Sequence, residues 1–216
     1  IGIVDVVDER LDQLTKLSNS KKKIYTNITF VDIAGLVKGA SKGEGLGNKF
    51  LSHIKEVDAI IHLVRCFESD KITHVNSKIN PVDDLETIKT EIILSDLDII
   101  QKKLEKGKKK LLEEKEIKIL EDKLKQLNDG KEVIADNMDE EKFLSTLGLL
   151  SIKPKIIVCN VDEESLAKGN SFTESVKKNY SDEKVVTICA DIEDQIMGLD
   201  KNERETFMKE IGLNKT

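Results

Sequence analysis

The chain has 216 residues, of which 38% are hydrophobic, 35% charged and only 4% aromatic, and its formal net charge is −6. This size suits one domain, or one domain with an insertion, and the charged composition favours long solvated helices over a β-sandwich or barrel. The acidic balance does not support general nucleic-acid binding, and no DNA sequence specificity is expected. No apolar run approaches the roughly 20 residues that a membrane span requires, so no membrane partner is expected.

Cysteine usage predicts a reducing compartment. The three cysteines, Cys66, Cys159 and Cys189, are odd in number and none has C-x-x-C spacing. This pattern argues against a disulfide framework or a zinc site. Each cysteine follows a β-type run, so we expect buried thiols at strand ends. Since no signal-peptide pattern opens the sequence, the expected localisation is cytoplasmic.

The N-terminal segment predicts a strand, a helix and a second strand. Residues 1–7 are apolar and β-branched, and Asp8 is expected to cap a helix that runs to about Leu17. A polar, lysine-rich turn at residues 18–23 leads into the second strand, residues 24–31.

A carboxylate and a glycine-rich stretch follow that second strand. The carboxylate is Asp32, and the glycines are Gly35, Gly39, Gly43, Gly45 and Gly47. Ligands of α/β sheets collect at the carboxyl ends of strands, where a carboxylate can hold hydrated Mg²⁺ and a glycine N–H can approach a phosphate. The glycines also permit the loop to change conformation when that phosphate is lost. Taken alone, this pattern fits an ordinary strand-to-helix loop better than a phosphate site.

The middle of the chain predicts a strand and then a long helical region. Helical spacing follows the glycine-rich stretch at Phe50, Leu51, Ile54 and Val57. Residues 59–65 form a continuous apolar run, as in a central parallel strand. From residue 81 to about residue 128 the spacing is helical, with two apolar stripes separated by the Lys- and Glu-rich residues 105–116. This predicts an antiparallel helical hairpin, or coiled coil, with its tip in that stretch. One long continuous helix is the alternative.

The last third alternates between helix and strand. A helix over residues 140–147 with Asp139 as its cap, and a second over residues 171–180, are predicted. The predicted strands are residues 156–159 and 185–189, and a final helix runs from Asp200 to about Ile211. Alternation of this kind predicts a parallel α/β sheet flanked by helices. The expected domains are an α/β domain from residues 1–80 and 148–216 and an inserted hairpin from residues 81–147.

The sequence Asp32-Ile33-Ala34-Gly35 resembles the D-x-x-G motif of P-loop GTPases. The run that follows, residues 36–50, is far more specific and resembles the switch II region of the YchF (Obg-like ATPase) subfamily. The resemblance implies a P-loop NTPase (G-domain) fold, in which the two N-terminal strands form an antiparallel pair on one side of the sheet. It also implies an ATP-binding, slowly hydrolysing switch that uses Mg²⁺ with ATP or GTP and associates with ribosomes or rRNA.

The same resemblance assigns catalytic roles. Asp32 is expected to hold Mg²⁺ through water, and the Gly35 N–H to contact the γ-phosphate. Leu36 occupies the position of the glutamine that orients the attacking water in Ras-type enzymes, so turnover is expected to be slow. Candidates for placing that water are Lys38, Ser41 and Lys42.

A second motif follows the strand of residues 156–159. Asn160-Val161-Asp162-Glu163 stands in the place of the N-K-x-D motif of GTPases, with Val161 replacing Lys and Glu163 replacing the Asp that accepts two hydrogen bonds from guanine. The longer Glu side chain moves the carboxylate and disturbs that paired geometry, so we expect ATP to be preferred and GTP to be second. Without the preceding D-x-x-G loop, these residues fit a simple acidic turn.

The third motif is Cys189-Ala190-Asp191, after the last strand. It resembles the loop of GTPases in which backbone N–H groups meet the base. Asn160, Val161, Glu163 and these three residues are therefore the predicted nucleotide-binding set.

No G-x-x-x-x-G-K-[ST] run occurs in the sequence. In the YchF subfamily the P-loop precedes the matching region and a TGS domain follows it, so the resemblance implies a central part of a longer protein. We therefore expect residues 1–216 alone to bind nucleotide weakly and not to hydrolyse it. The alternative function is a nucleotide-independent protein or RNA interaction module built on the helical hairpin. Residues 102–110 of the hairpin are Lys-rich, and such a run is more often a solvated helix face than a surface that contacts rRNA or a ribosomal protein.

Overall fold

The computed structural model describes residues 1–33, 53–69, 78–107 and 112–210. The chain divides into two compact units, Ile1–Gly35 and Leu36–Thr216. Among the described residues, the first unit has a sheet of two strands and the second a sheet of three. In the part of the chain that is described, no helix is both long and apolar enough to cross a membrane.

The first unit consists of β1 (Gly2–Val6), α1 (Glu9–Leu17) and β2 (Thr26–Phe30). The two strands are antiparallel, with Gly2 opposite Phe30. Asp8 caps α1 as predicted, because its side chain accepts a hydrogen bond of 2.9 Å from the Arg10 N–H. The predicted elements of this segment are therefore confirmed, as is their antiparallel pairing.

The second unit contains most of the chain. Its elements are β3 (Ile60–Arg65), α2 (Pro81–Gly107), α3 (Glu114–Asn128), α4 (Met138–Ser145), β4 (Lys155–Asn160), α5 (Glu163–Leu166), α6 (Ser171–Asn179), β5 (Lys184–Ile188), α7 (Ala190–Met197) and α8 (Lys201–Glu210). A short helical segment at residues 53–55 precedes β3. The sheet order is β3-β4-β5 and both pairings are parallel, which confirms the predicted parallel sheet.

The core of the sheet region lies around β4. Buried strand residues such as Val64 and Ile157 form one cluster with Val176 of α6 and with Ile192 and Ile196 of α7. Three further members of that cluster are Cys66, Cys159 and Cys189, which are free thiols at 0–1% exposure. Buried thiols at strand ends were predicted, and this is confirmed.

Strand β3 occupies the apolar run that predicted it and is parallel to β4, as expected. Ile61 is 48% exposed and Leu63 is 63% exposed, so the continuous apolar run is buried on one face only. Among the described residues, β3 pairs with β4 and with no second strand. The apolar run therefore marks a strand correctly.

The helical region has a second apolar cluster. Its buried members come from α2, α3, α4 and the segments after α3 and α4, and are Ile93, Ile100, Leu104, Leu120, Leu127, Val133, Leu144 and Leu149. The alternative of one continuous helix is wrong, because Glu113 is extended (φ −72°, ψ 153°) and starts α3 with a capping box to Glu116. Residues 108–111 at the predicted tip lie outside the described part, so the inserted hairpin stays a prediction.

Charged contacts connect α3 to α4 and the helical region to the sheet. The Lys123 side chain is 1% exposed, and its ammonium lies 2.7 Å from Glu140 of α4. The Lys155 ammonium at the start of β4 pairs with Glu132 at 2.6 Å, and the Tyr180 hydroxyl donates to Glu86 of α2 at 2.7 Å. These contacts fix the helical region on the sheet at the end where β4 begins.

Two helix boundaries correct the sequence-based expectations. Helix α4 is capped by Asn137, whose side chain accepts the Glu140 N–H at 3.0 Å, and Asp139 lies in the first turn rather than at the cap. Helix α7 was not predicted, because Cys189, its N-terminal flanking residue, has no side-chain capping hydrogen bond and gives no capping signal in the sequence. The final helix follows Asp200 as predicted, while Ile211 lies outside the described residues.

Candidate functional site

The carboxyl ends of β3, β4 and β5 meet at one edge of the parallel sheet. Arg65 is paired with Asn160, and Asn160 with Ile188. The ladder continues beyond the strands, because the Cys66 N–H donates to the Asn160 carbonyl and the Val161 N–H to the Ile188 carbonyl, both at 2.8 Å. This edge is where ligands of open α/β sheets bind, and we refer to it as the base-side edge.

The side chain of Asn160 joins two of the predicted motifs. Its Oδ1 accepts a hydrogen bond of 3.0 Å from the backbone N–H of Ala190, the first residue of α7. The first N–H groups of a helix have no partner within the helix. Since Cys189 supplies no side-chain cap, Asn160 satisfies one of them from the neighbouring strand. The N-x-x-E motif and the loop at residues 189–191 are thus in direct contact.

The other residues of the N-x-x-E motif have different environments. Val161 is 2% exposed and packs in the sheet core, which argues against direct contact of its side chain with a nucleotide. Asp162 caps α5, accepting the Ser165 N–H at 2.9 Å. Glu163 is exposed at the first position of α5, so its carboxylate is available at the base-side edge. Asp191 is likewise exposed, in the first turn of α7.

Asn170 holds the loops after β3 and β4 together and is absent from the predicted site. Its Nδ2 donates to the Cys66 carbonyl at 2.7 Å and to the Ser165 hydroxyl at 3.2 Å. It also forms a capping box with Thr173 at the start of α6. The spacing of Asn170 and Thr173 is visible in the sequence as a capping signal, but its contact with Cys66 depends on the fold.

Arg65 stiffens the loop that leaves β3. Its guanidinium donates to the Phe67 carbonyl at 3.0 Å and the Ser69 carbonyl at 3.2 Å. The same group lies 4.9 Å from the centre of the Phe67 ring, a cation–π distance. The loop beside Asn160 is therefore held by its own side chains.

The thiols beneath the edge are not suited to nucleophilic chemistry. A hydrogen bond with the Cys159 thiol, together with burial, raises the pKa of Cys66. The same contact lowers the pKa of Cys159, but all three thiols are at most 1% exposed and so are closed to a substrate. The cysteines therefore act in packing.

His62 lies away from the base-side edge, in the middle of β3. Burial, with a smaller contribution from the Lys155 ammonium, lowers the pKa of His62 to about 4. The imidazole is neutral near pH 7 and lines a cavity together with Tyr180 and with Ile92 of α2. This position suits a structural role in packing α2 against the sheet.

Of the residues predicted to lie near the phosphates, the structure describes Asp32 alone. This residue is exposed, follows β2 in the first unit, and has no hydrogen-bond or ion-pair partner among the described residues. A free carboxylate of this kind fits a Mg²⁺ ion held through water. Gly35 and Leu36 lie outside the described residues, as do Lys38, Ser41 and Lys42, so their predicted roles stay predictions.

Comparisons with known proteins show which family the chain resembles. The family described as "50S ribosome-binding GTPase" matches residues 7–96. The chain is 40% identical to the "Ribosome-binding ATPase YchF" of Bacillus subtilis (strain 168), over 100% of this chain and 62% of the relative. It is 44% identical to the proteins of the same name from Mycoplasma genitalium and Escherichia coli O157:H7, over 98% of this chain and 61% of each relative.

The likeness extends to three dimensions. The solved structure of the Schizosaccharomyces pombe YchF GTPase matches with a TM-score of 0.81 and 30% identity, over 98% of this chain and 61% of that chain. The fold is therefore that of a P-loop GTPase, a mixed α/β architecture with a parallel sheet and helices. The chain spans 61% to 62% of the length of these relatives.

Proposed function

Because the chain belongs to the YchF (Obg-like ATPase) subfamily of P-loop GTPases, we propose that it carries the base-recognition and switch parts of a nucleotide-dependent switch. The switch binds ATP in preference to GTP and hydrolyses ATP slowly. Its relatives are named as ribosome-binding ATPases, and we extend ribosome association and a cytoplasmic location to this protein as parts of the same proposal.

The contact between Asn160 and Ala190 is the observation that carries the proposal. It brings the end of β4 and the start of α7 together at the base-side edge, with a hydrogen bond of 3.0 Å. A base bound there meets the exposed Glu163 on one side and the first turn of α7 on the other. Backbone N–H groups at that first turn supply donors that suit the acceptor nitrogens of a purine.

Base selectivity is assigned to Glu163. A shorter Asp at this position accepts two parallel hydrogen bonds from the N1–H and N2 groups of guanine in the N-K-x-D motif. The added methylene of Glu163 displaces the carboxylate from that paired geometry, and adenine offers no ring N–H at the corresponding place. Loss of a paired contact changes specificity by orders of magnitude.

Asp32 and the residues after it are assigned to the phosphate side. Asp32 would hold Mg²⁺ through water, and the Gly35 N–H would contact the γ-phosphate. When bound, the ion would neutralise charge on the phosphate oxygens. Leu36 has no polar group to orient the attacking water, so slow turnover follows from this residue.

Equilibrium titration of the full-length protein with ATP and GTP tests the proposal. Glu163→Asp is expected to raise the affinity for GTP relative to ATP by about tenfold or more, because the shorter side chain restores the paired contact. Glu164→Asp, at the next exposed position of α5, is the matched control and should leave the ratio unchanged. A ratio that stays constant in Glu163→Asp would overturn the assignment of base selectivity.

Residues 1–216 by themselves are predicted to bind nucleotide weakly. No G-x-x-x-x-G-K-[ST] run occurs in them, so the backbone N–H groups and lysine that usually hold the phosphates are missing. The expected affinity is lower than that of the full-length protein by about 100-fold or more. Isothermal titration of both proteins measures the difference, and near-equal affinities would contradict the prediction.

A second candidate function rests on the helical region. Helices α2 and α3 share an apolar cluster that is separate from the core of the sheet, as expected for a module that binds a protein or RNA without nucleotide. Ribosome co-sedimentation with and without ATP separates the two functions. Equal ribosome binding with and without ATP favours the interaction module. Ribosome binding that differs between the two conditions favours the switch.

A further inference from the structure

Two side chains hold one loop of the second unit from opposite sides. The loop is residues 150–154, between α4 and β4. Asp96, in the middle of α2, is 0% exposed and accepts hydrogen bonds from the N–H groups of Leu150 at 2.8 Å and Ser151 at 2.9 Å. It also accepts from the Ser151 hydroxyl. The first half of the loop is therefore fixed on α2.

The second half of the loop is fixed on the segment that precedes β3. The Lys153 ammonium donates to the Lys55 carbonyl at 2.9 Å and to the Val57 carbonyl. One residue further on, the Pro154 carbonyl accepts the Ile60 N–H at 2.9 Å. Carbonyl groups at the end of a helix lack partners within it and carry partial negative charge, so a lysine is well suited to bind them.

The segment held by Lys153 follows the glycine-rich stretch in the sequence. Residues 53–55 are helical, and Ile54 is 4% exposed, so the segment is anchored in the core. From Val57 the chain leads directly into β3. The Lys153 ammonium therefore binds the segment that joins the glycine-rich stretch to β3.

We propose that Lys153 and Asp96 are positioning residues that tie residues 53–57 to helix α2 through the loop at residues 150–154. The role of this tie rests on the proposed function: it transmits a nucleotide-dependent movement of the glycine-rich stretch to the helical region. Hydrogen bonds from backbone N–H groups to a buried carboxylate are strong and short in range. The Lys153 N–H also donates to the Leu150 carbonyl at 3.2 Å, so both points of attachment belong to one turn.

Hydrogen exchange of the nucleotide-free, full-length protein tests the tie itself. Lys153→Met is expected to raise exchange of the amides at residues 53–60 by about tenfold, because two hydrogen bonds from a charged donor are lost. Lys153→Arg should restore protection, and Lys168→Met, at an exposed lysine after α5, should change nothing. Amides of β5 serve as the reference for global stability. Unchanged exchange at residues 53–60 in Lys153→Met overturns the proposal.

A second measurement tests transmission to α2. Saturation with a non-hydrolysable ATP analogue is expected to change exchange at residues 92–104 in the wild-type protein. In Lys153→Met this change should fall about fivefold while the affinity for the analogue stays within about threefold. Asp96→Asn weakens the attachment of the loop to α2 and should also reduce the change in exchange at residues 92–104.

The outcomes separate the two proposals. If the wild-type protein binds no ATP analogue, the proposed function fails, and the tie is then decided by the nucleotide-free exchange of residues 53–60. If the analogue binds and α2 does not respond, or responds equally in Lys153→Met, transmission through the loop is wrong while the proposed function stands.

Discussion

Asp96 and Asn160 perform similar tasks in different surroundings. Each accepts hydrogen bonds from backbone N–H groups that are distant in sequence. Asp96 is fully buried and accepts from Leu150 and Ser151, whereas Asn160 makes one such bond, to Ala190, at an exposed edge. Buried donors left without a partner are costly, while exposed donors exchange their partner with water or a ligand. The first contact therefore serves stability, and we assign the second to the proposed nucleotide site.

Replacing Asp96 is expected to have the largest effect on stability. Asp96→Ala should lower the free energy of unfolding by about 3–4 kcal/mol, because buried N–H groups and a hydroxyl lose their acceptor. Burial raises the pKa of Asp96, so the charged form already carries a desolvation cost, and Asp96→Asn should lose only about 1–2 kcal/mol. Urea denaturation measures both.

Asp98→Ala is the matched control for that experiment. Asp98 lies on the same helix, and its exposed carboxylate pairs with Lys102 at 2.6 Å. Exposed pairs of this spacing contribute about 0.5 kcal/mol or less. Similar losses of unfolding free energy in Asp96→Ala and Asp98→Ala would show that burial does not determine how much these contacts stabilise the fold.

The pH dependence of stability offers an intermediate test at His62. Its pKa is about 4 in the folded protein, below the ordinary value of 6.5, so the folded state binds fewer protons between these values. Stability should be fully present above pH 6.5 and should fall as the pH drops towards 4, by at most about 3 kcal/mol. His62→Gln is expected to flatten this slope in urea titrations, and His53→Gln, at an exposed histidine, should leave it unchanged.

Replacing Asn160 is expected to have a smaller effect on stability than replacing Asp96 and a clear effect on nucleotide binding. Asn160→Ala should cost about 1 kcal/mol or less in unfolding free energy, because Ala190 lies at the exposed edge. Affinity of the full-length protein for ATP should fall about tenfold or more, since the start of α7 loses its position. Asn179→Ala, at an exposed asparagine of α6, should change neither. If Asn160→Ala lost as much stability as Asp96→Ala, the distinction between a stabilising contact at Asp96 and a binding contact at Asn160 would be wrong.

The sheet of the second unit was predictable because continuous apolar runs mark parallel strands. The predicted strands at residues 156–159 and 185–189 are observed as Lys155–Asn160 and Lys184–Ile188. The same signal could not predict exposure, since the burial of β3 depends on which neighbouring elements cover each face. Strand existence is therefore a local property, and strand burial is not.

The base-side edge was predictable in part. Asn160 and Ala190 were expected near the same ligand, and the structure brings them into contact. The buried position of Val161 was not expected, because substitution of a lysine in a motif does not reveal where the new side chain packs. The contacts of Asn170 with Cys66 and of Asp96 with Leu150 join residues that are 104 and 54 positions apart, and no local pattern specifies such pairs.

The burial of the three thiols has a practical consequence for spectroscopy. Cys66, Cys159 and Cys189 are each at most 1% exposed, so alkylating reagents should reach them slowly. A cysteine introduced at an exposed position such as Lys168 would then take up a fluorophore selectively, with the native cysteines left in place. Movement beside the base-side edge could be followed in this way without a cysteine-free background.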